Sequence, residues 1–153
     1  MALELTSTAF REGATIPQPY TGDGRNISPP LKWGDPPAGT RSLALVCEDP
    51  DAPRGTFTHW LVFNLPAESR ELSEGVPAKA TLPNGTAQGT NDFGKVGYGG
   101  PKPPPGKPHR YIFTLYALDR SLDVSPGAAK AELLAAMKGH VLGEVRLLGT
   151  YAR

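Results

Sequence analysis

Three runs of seven or eight mostly apolar residues, each set between segments that contain Gly or Pro, constrain the fold of this chain more than any other feature. The runs are residues 41–48, 59–65 and 111–118. Each has the length of a β-strand and is far shorter than the ~18 apolar residues of a membrane span, so no integral membrane contact is expected. Gly and Pro account for 18 and 17 of the 153 residues and indicate frequent turns between the runs. The pattern predicts a mainly β fold, an antiparallel β-sandwich.

One clear helix is predicted near the C-terminus. Residues 128–138 are strong helix formers, with Ser125 as the N-cap, Pro126 in the first turn and Gly139 directly after the last turn. Alternation over residues 143–151 predicts a final half-buried strand. Residues 67–96 have no clear periodicity and are expected to form an ordered surface loop. Without a repeat or a linker, residues 1–153 are expected to form a single domain.

Charge and cysteine content exclude several classes of protein. The formal net charge is +1 with no basic block, so no nucleic-acid partner is expected. The one cysteine, Cys47, lies in an apolar run and is expected to be a buried, unreactive thiol. The first residues contain no cationic segment followed by an apolar one, which predicts a cytoplasmic protein.

Two short segments carry the chemistry of the sequence. The first contains Asp49 and Asp51 on either side of Pro50 and reaches His59. The second runs from Gly97 through a Pro-rich stretch to His109 and Tyr111. In an extended chain, residues two apart point to the same side, so each segment should present two polar side chains together. Each histidine is expected at the start of a strand, at the rim of the sheet.

If the two segments are neighbours, two carboxylates and two imidazoles converge on one site. A carboxylate that accepts a hydrogen bond from one ring nitrogen orients an imidazole and leaves the other nitrogen for a ligand. Such a set can bind an anion, hold a metal or move a proton. The glycines at 97–100 allow close approach of the backbone to a ligand, and with the rigid prolines they favour a small oxyanion pocket. Taken singly, each of these residues also suits a structural role, and Arg110 is predicted to be a structural ion-pair partner.

Several motifs of enzymes are absent from the sequence. It contains no Gly-x-Ser-x-Gly segment, no Cys-x-x-Cys pair and no phosphate-binding loop of the Gly-x-x-x-x-Gly-Lys-Ser/Thr type. No nucleophile with an adjacent base can be named. These absences weaken the case for a catalytic role.

The two segments resemble the signatures of the phosphatidylethanolamine-binding protein family, in its bacterial, Raf-kinase-inhibitor-like branch. The first signature is Asp-Pro-Asp-Ala-Pro at 49–53 with His-Trp at 59–60, and the second is Gly-Tyr-Gly-Gly-Pro at 97–101 with His-Arg-Tyr at 109–111. Segments 16–21, 28–33, 91–94 and 149–151 also fit the bacterial pattern. The similarity therefore spans essentially the whole chain.

The resemblance implies a β-sandwich with a small pocket that accepts phosphate-like head groups, such as phosphate or phosphoethanolamine. Carried over by motif, the ligand-binding residues would be Asp49, His59, Pro101, His109 and Tyr111, with Asp51 beside them. The resemblance implies neither a metal nor catalysis, so the protein is expected not to be an enzyme and to have no cofactor. The chain stops at Arg153, without the C-terminal helix that covers the pocket in longer eukaryotic members. Because bacterial members tend to be dimers, the resemblance implies a homodimer in which a partner subunit covers the pocket instead.

Three functions follow as hypotheses. The leading one is a protein that binds phosphate or a similar small anion. The first alternative is a metal-dependent hydrolase that uses Asp49, Asp51, His59 and His109 as ligands for zinc or iron. The second is an interaction module that regulates a kinase- or protease-type partner through its surface loops.

Overall fold

The protein is a sandwich of two antiparallel β-sheets. The computed structural model describes residues 2–153. Its strands are β1 (Leu5–Thr6), β2 (Leu31–Trp33), β3 (Ser42–Asp49), β4 (Phe57–Pro66), β5 (Glu71–Leu72), β6 (Ala87–Gln88), β7 (His109–Leu118) and β8 (Val141–Tyr151), and its α-helix is α1 (Lys130–Met137). The small sheet has the order β1-β2-β5 and the large sheet the order β6-β4-β3-β7-β8. The predicted fold class is confirmed.

The strands β3 and β4 are buried on both faces, as their continuous apolar sequences predict. One face of the large sheet packs against the small sheet and forms the main core, which includes Trp60 and Phe113. The other face packs against α1 through Leu133 and Met137. Cys47 lies in the main core, and burial raises the pKa of its thiol, so the prediction of a buried thiol is confirmed.

The helix begins later than predicted. Ala129 is the N-cap of α1, and the predicted start at Ser125 is wrong. Residues 125–128 form a turn instead, because Gly127 has a left-handed φ of 87° and its N–H donates to the carbonyl of Gln88. The predicted end is confirmed, since Gly139 follows the C-cap with a φ of 83°. Within residues 2–153, no helix has the length and apolar character that a membrane span requires.

The segment 67–96, predicted as an irregular loop, contributes two short strands. β5 extends the small sheet beside β2, and β6 extends the large sheet beside β4. Both strands have only two residues, so they are too short to produce a visible alternation in the sequence. The later part of the segment turns back over β4 and reaches the end of the large sheet that is described next.

Three strand ends meet at one end of the large sheet. β3 ends at Asp49, while β4 begins at Phe57 and β7 begins at His109. β3 lies between the other two and runs antiparallel to both, with Asp49 opposite Phe57 and Glu48 opposite Ile112. The last residues of β3 therefore lie beside the first residues of β4 and β7. This arrangement places the two predicted segments next to each other.

Candidate functional site

Asp49 and His109 form the central pair of the site. Asp49 is only 3% exposed. Its Oδ1 accepts the N–H of Asp51 at 2.7 Å, and its Oδ2 lies 2.7 Å from Nδ1 of His109. Because a carboxylate can only accept, Nδ1 of His109 carries a proton, and Nε2 is left for a ligand. The predicted carboxylate–imidazole pair is therefore present in the structure.

His59 is held in a different way, through the backbone. The pairing of β3 with β4 changes register between Cys47 and Glu48, so His59 is the extra residue of a β-bulge. Its Nδ1 donates to the carbonyl of Gly99 at 2.5 Å. Burial lowers the pKa of His59 below its usual 6.5, against the opposing effect of that hydrogen bond. His59 is therefore neutral at pH 7, and its Nε2 is a hydrogen-bond acceptor.

We expect His59 to make the fold less stable in mild acid. Its pKa is lower in the folded protein than in the unfolded chain, so the unfolded chain takes up this proton first. The stabilising contribution of the neutral His59 imidazole to the free energy of unfolding is fully present above about pH 6.5. It is lost as the pH falls toward the pKa of His59 in the folded protein, and the loss cannot exceed about 1.4 kcal/mol per pH unit. Urea unfolding between about pH 5 and pH 7 measures this slope. The slope should become shallower in His59→Gln, whose amide can still donate to Gly99, and an unchanged slope would contradict a buried neutral imidazole.

Tyr111 completes the polar side of the site. It is 1% exposed, and its ring meets that of His59 edge-on with centroids 5.2 Å apart. Burial, and after it the negative charge of Asp49, raise the pKa of Tyr111. The phenol therefore stays protonated across the physiological range and can donate a hydrogen bond to a ligand.

These side chains open into a cavity of about 180 Å³. Its polar lining consists of Asp49, His59, His109, Tyr111 and Lys102. Its apolar lining consists of Ala52, Pro53, Phe57, Phe93, Pro103 and Pro104. Apart from Lys102, the polar lining comes from strands, whereas the apolar lining comes from loops apart from Phe57, the first residue of β4, and reaches the surface at the exposed Phe93.

The turn at 91–94 places Phe93 in that lining. Oδ1 of Asn91 accepts the N–H groups of Phe93 and Lys95 at 2.9 and 3.2 Å, which closes the turn. Asp92 ties the turn to the start of β4, since its backbone N–H donates to the carbonyl of Thr58 and its carboxylate accepts the N–H of Thr58. The ring of Phe93 then lies 4.7 Å from that of Phe57, centroid to centroid.

The Gly-rich segment 97–100 is anchored to the loop at 20–26. The hydroxyl of Tyr98 donates to the carbonyl of Tyr20 at 2.6 Å, and the N–H of Gly100 donates to Oδ1 of Asn26 at 2.7 Å. The N–H of Gly22 donates to the carbonyl of Pro101 at 2.7 Å. Together these bonds hold the carbonyl of Gly99 where it orients His59.

Two residues of the predicted site lie outside the cavity lining. Asp51 follows the end of β3 in a turn, and its carboxylate accepts Nε, Nη2 and the backbone N–H of Arg110 at 2.8–2.9 Å. These bonds, with the charge of Arg110, lower the pKa of Asp51 to about 2. Pro101 is buried and directs its carbonyl to Gly22. Their roles as ligand contacts stay predictions, whereas the prediction of Arg110 as an ion-pair partner is confirmed.

Sequence reasoning missed most of the apolar lining. Phe57 and Phe93 were not predicted, and neither was the cation Lys102. The signal for Phe57 was available, because it stands two residues before His59 on the same strand. Phe93 lies shortly before Gly97, within segment 91–94 that fits the family pattern, but no periodicity places its ring at the site, which it reaches through the turn closed by Asn91.

The structure also tests the metal hypothesis. Within residues 2–153, no group of three or more His, Cys, Asp or Glu side chains is arranged to hold a metal ion. Of the four proposed ligands, Asp51 is bound by Arg110 and lies outside the cavity lining. Asp49, His59 and His109 remain at the cavity, and one oxygen of Asp49 is already bound to His109. The metal-dependent hydrolase therefore gains no support from the geometry.

The fold and the site together define a class: β-sandwich proteins with a small His/Asp/Tyr pocket at one end of the larger sheet. A family model described as Phosphatidylethanolamine-binding protein matches residues 6–152. The chain belongs to the phosphatidylethanolamine-binding protein family. Membership of this family supports ligand binding in general.

Individual relatives agree with this assignment. A UPF0098 protein of Methanothermobacter thermautotrophicus is 54% identical over 151 residues, covering 99% of both chains. The UPF0098 protein YbhB of Escherichia coli is 46% identical over 137 residues, covering 84% of this chain and 87% of YbhB. Among solved structures, the phosphatidylethanolamine-binding protein homolog CT736 of Chlamydia trachomatis has a TM-score of 0.90 and 41% identity, covering 99% of this chain and 98% of CT736. YbcL of Escherichia coli, described as a member of the mammalian family, has a TM-score of 0.92 and 32% identity, covering 100% and 99%.

Proposed function

We propose that the cavity binds a small oxyanion, of the type of phosphate or the phosphoethanolamine head group, without converting it. The observation that carries the proposal is that both imidazoles are held through Nδ1, at 2.7 Å from Asp49 for His109 and at 2.5 Å from the Gly99 carbonyl for His59. Each ring therefore has Nε2 left for a ligand at the polar end of the same cavity.

The polar groups suit an oxyanion that still carries a proton. The neutral His59 offers an acceptor, and the phenol of Tyr111 offers a donor. When His109 is protonated, its charge is balanced by Asp49 and its Nε2–H becomes a second donor. A phosphate monoanion has both an O–H to donate and oxygens to accept, so it matches this set better than a carboxylate, which has no proton to donate.

The size and lining of the cavity restrict the ligand further. A volume of about 180 Å³ is smaller than the ~300 Å³ at which sites for drug-sized ligands begin. The rings of Phe57 and Phe93 at the mouth can pack against a short substituent, or against an ammonium group through a cation–π contact. The lining favours a head group over a large organic molecule.

Calorimetric titration of phosphate, phosphoethanolamine and acetate into the protein at about pH 6 tests the proposal. We expect phosphate and phosphoethanolamine to bind more tightly than acetate. His109→Ala should weaken phosphate binding by about tenfold or more, since it removes a hydrogen bond to a charged group worth about 1.5–3 kcal/mol.

The third histidine provides the matched control. Nδ1 of His140 also lies beside a carboxylate, at 2.9 Å from Oδ1 of Asp119, but His140 is not part of the cavity lining. His140→Ala should therefore bind phosphate as the wild type does. The proposal fails if the wild type binds none of the three anions, or if His109→Ala binds phosphate equally well.

The expectations about protein partners, oligomeric state and cellular location stay predictions. Regulation of a kinase- or protease-type partner, the homodimer and the cytoplasmic location each require a separate measurement.

A further inference from the structure

A second cavity, of about 370 Å³, lies beside the first and shares Phe93 and Lys102 with it. The ring of Phe93 packs against the backbone of Gly99 so closely that a Cβ added there would lie 2.4 Å from Cδ2 of the ring. The same ring lies 5.6 Å from the ring of His59, centroid to centroid. One aromatic side chain therefore separates the two cavities.

The side chain of Lys102 is held by packing at the boundary between the two cavities. Its aliphatic stem packs on Gly22, where an added Cβ would lie 2.9 Å from Cβ of Lys102 and 3.0 Å from its Cδ. The stem is thereby held in place beside the bond between Gly22 and Pro101. Lys102 can therefore contact a ligand in either cavity or between them.

The second cavity differs from the first in its charge. Lys95 and Lys102 line it, together with the amide side chains of Asn26 and Asn91, and none of its lining residues in the described chain is Asp or Glu. Neither lysine forms an ion pair with any residue that the structure describes. The first cavity, in contrast, contains the carboxylate of Asp49. The second cavity is thus the more favourable place for a second negative charge.

We propose that the second cavity is a further anion subsite, so that the preferred ligands carry two linked oxyanions, as a diphosphate does, with Lys102 between them. The inference rests on the proposed function of the first cavity, which would receive the first oxyanion. Lys95 lines only the second cavity and would contact the second oxyanion.

Titrations of inorganic phosphate and inorganic diphosphate into the same protein test the inference. We expect diphosphate to bind at least about tenfold more tightly than phosphate, as one added charge-assisted hydrogen bond would produce. Lys95→Ala should remove most of that gain and leave the affinity for phosphate unchanged. Lys107→Ala is the matched control, because Lys107 is an exposed lysine of the Pro-rich segment that lines neither cavity.

The outcomes separate the two proposals. If phosphate, phosphoethanolamine and acetate all fail to bind, the proposed function fails, and this inference fails with it. If phosphate binds but diphosphate binds no more tightly, only the second subsite is overturned. It is also overturned if Lys95→Ala and Lys107→Ala weaken diphosphate binding equally, since that result would reflect net charge alone.

Discussion

Gly100→Ala is expected to lower the free energy of unfolding by about 1–3 kcal/mol, the usual cost of overpacking a well-packed interior. A Cβ at this position would lie 2.6 Å from both the backbone carbonyl oxygen of Tyr20 and Oδ1 of Asn26, and 2.9 Å from Cα of Thr21. Two of these three contacts are with backbone atoms, so the loop at 20–26 would have to move as a unit. Its movement would break the bond between the Gly100 N–H and Asn26. Urea unfolding measures the loss.

Gly99→Ala is the matched control for this prediction, one residue earlier in the same segment. Its Cβ would meet chiefly the ring of Phe93, at 2.4 Å from Cδ2 and 2.6 Å from Cε2. Phe93 is 46% exposed and can rotate away, so the stability of the fold should change less than in Gly100→Ala. Displacing Phe93 should instead alter ligand binding. Equal unfolding midpoints for Gly100→Ala and the wild type would contradict the close packing of the two loops.

Asp49→Asn is expected to weaken phosphate binding by about tenfold or more while leaving the fold largely intact. The amide keeps an oxygen that can accept the N–H of Asp51, so the turn after β3 is retained. The other side of the amide is an NH2 group, however, which cannot accept the Nδ1–H of His109, so the hydrogen bond that orients this imidazole toward the ligand is lost. Titration of phosphate into both proteins at about pH 6 measures the difference.

Asp49→Ala separates the two roles of this carboxylate. It removes the acceptor for the N–H of Asp51 as well as the partner of His109, and the loss of these two part-buried hydrogen bonds costs about 1–3 kcal/mol in total, at about 0.5–1.5 kcal/mol each. The alanine variant should therefore lose both stability and binding, whereas the asparagine variant should lose mainly binding. Tighter phosphate binding by Asp49→Asn would show that Asp49 acts as a repelling charge and would contradict its role as the partner of His109.

The parts of the site that lie on strands could be predicted from the sequence. Asp49, His59 and His109 each stand at the end of an apolar run, and the antiparallel pairing of β3 with β4 and β7 brings those ends together. The family resemblance supplied the reason to place both histidines in one pocket. Spacing alone could not do so, because it does not determine which strands are neighbours.

The parts that lie on turns could not be predicted in the same way. The expectation that Asp51 points with Asp49 assumed an extended chain, but β3 ends at Asp49 and the turn that follows directs Asp51 to Arg110. The helix start at Ser125 failed for a similar reason, since the turn around Gly127 is held by a hydrogen bond to Gln88, distant in sequence. In both cases a tertiary contact overrode a valid local rule.

The cavity has a floor and a wall of different origin. The floor consists of side chains at the ends of paired strands, so it is as rigid as the sheet itself. The wall, which includes Pro53, Phe93 and Pro104, comes from loops that pack on the sheet without belonging to it. Substitutions in the wall can therefore change which substituent is admitted while the floor continues to recognise the same charged group. The architecture allows affinity for the head group and selectivity for what is attached to it to be altered independently.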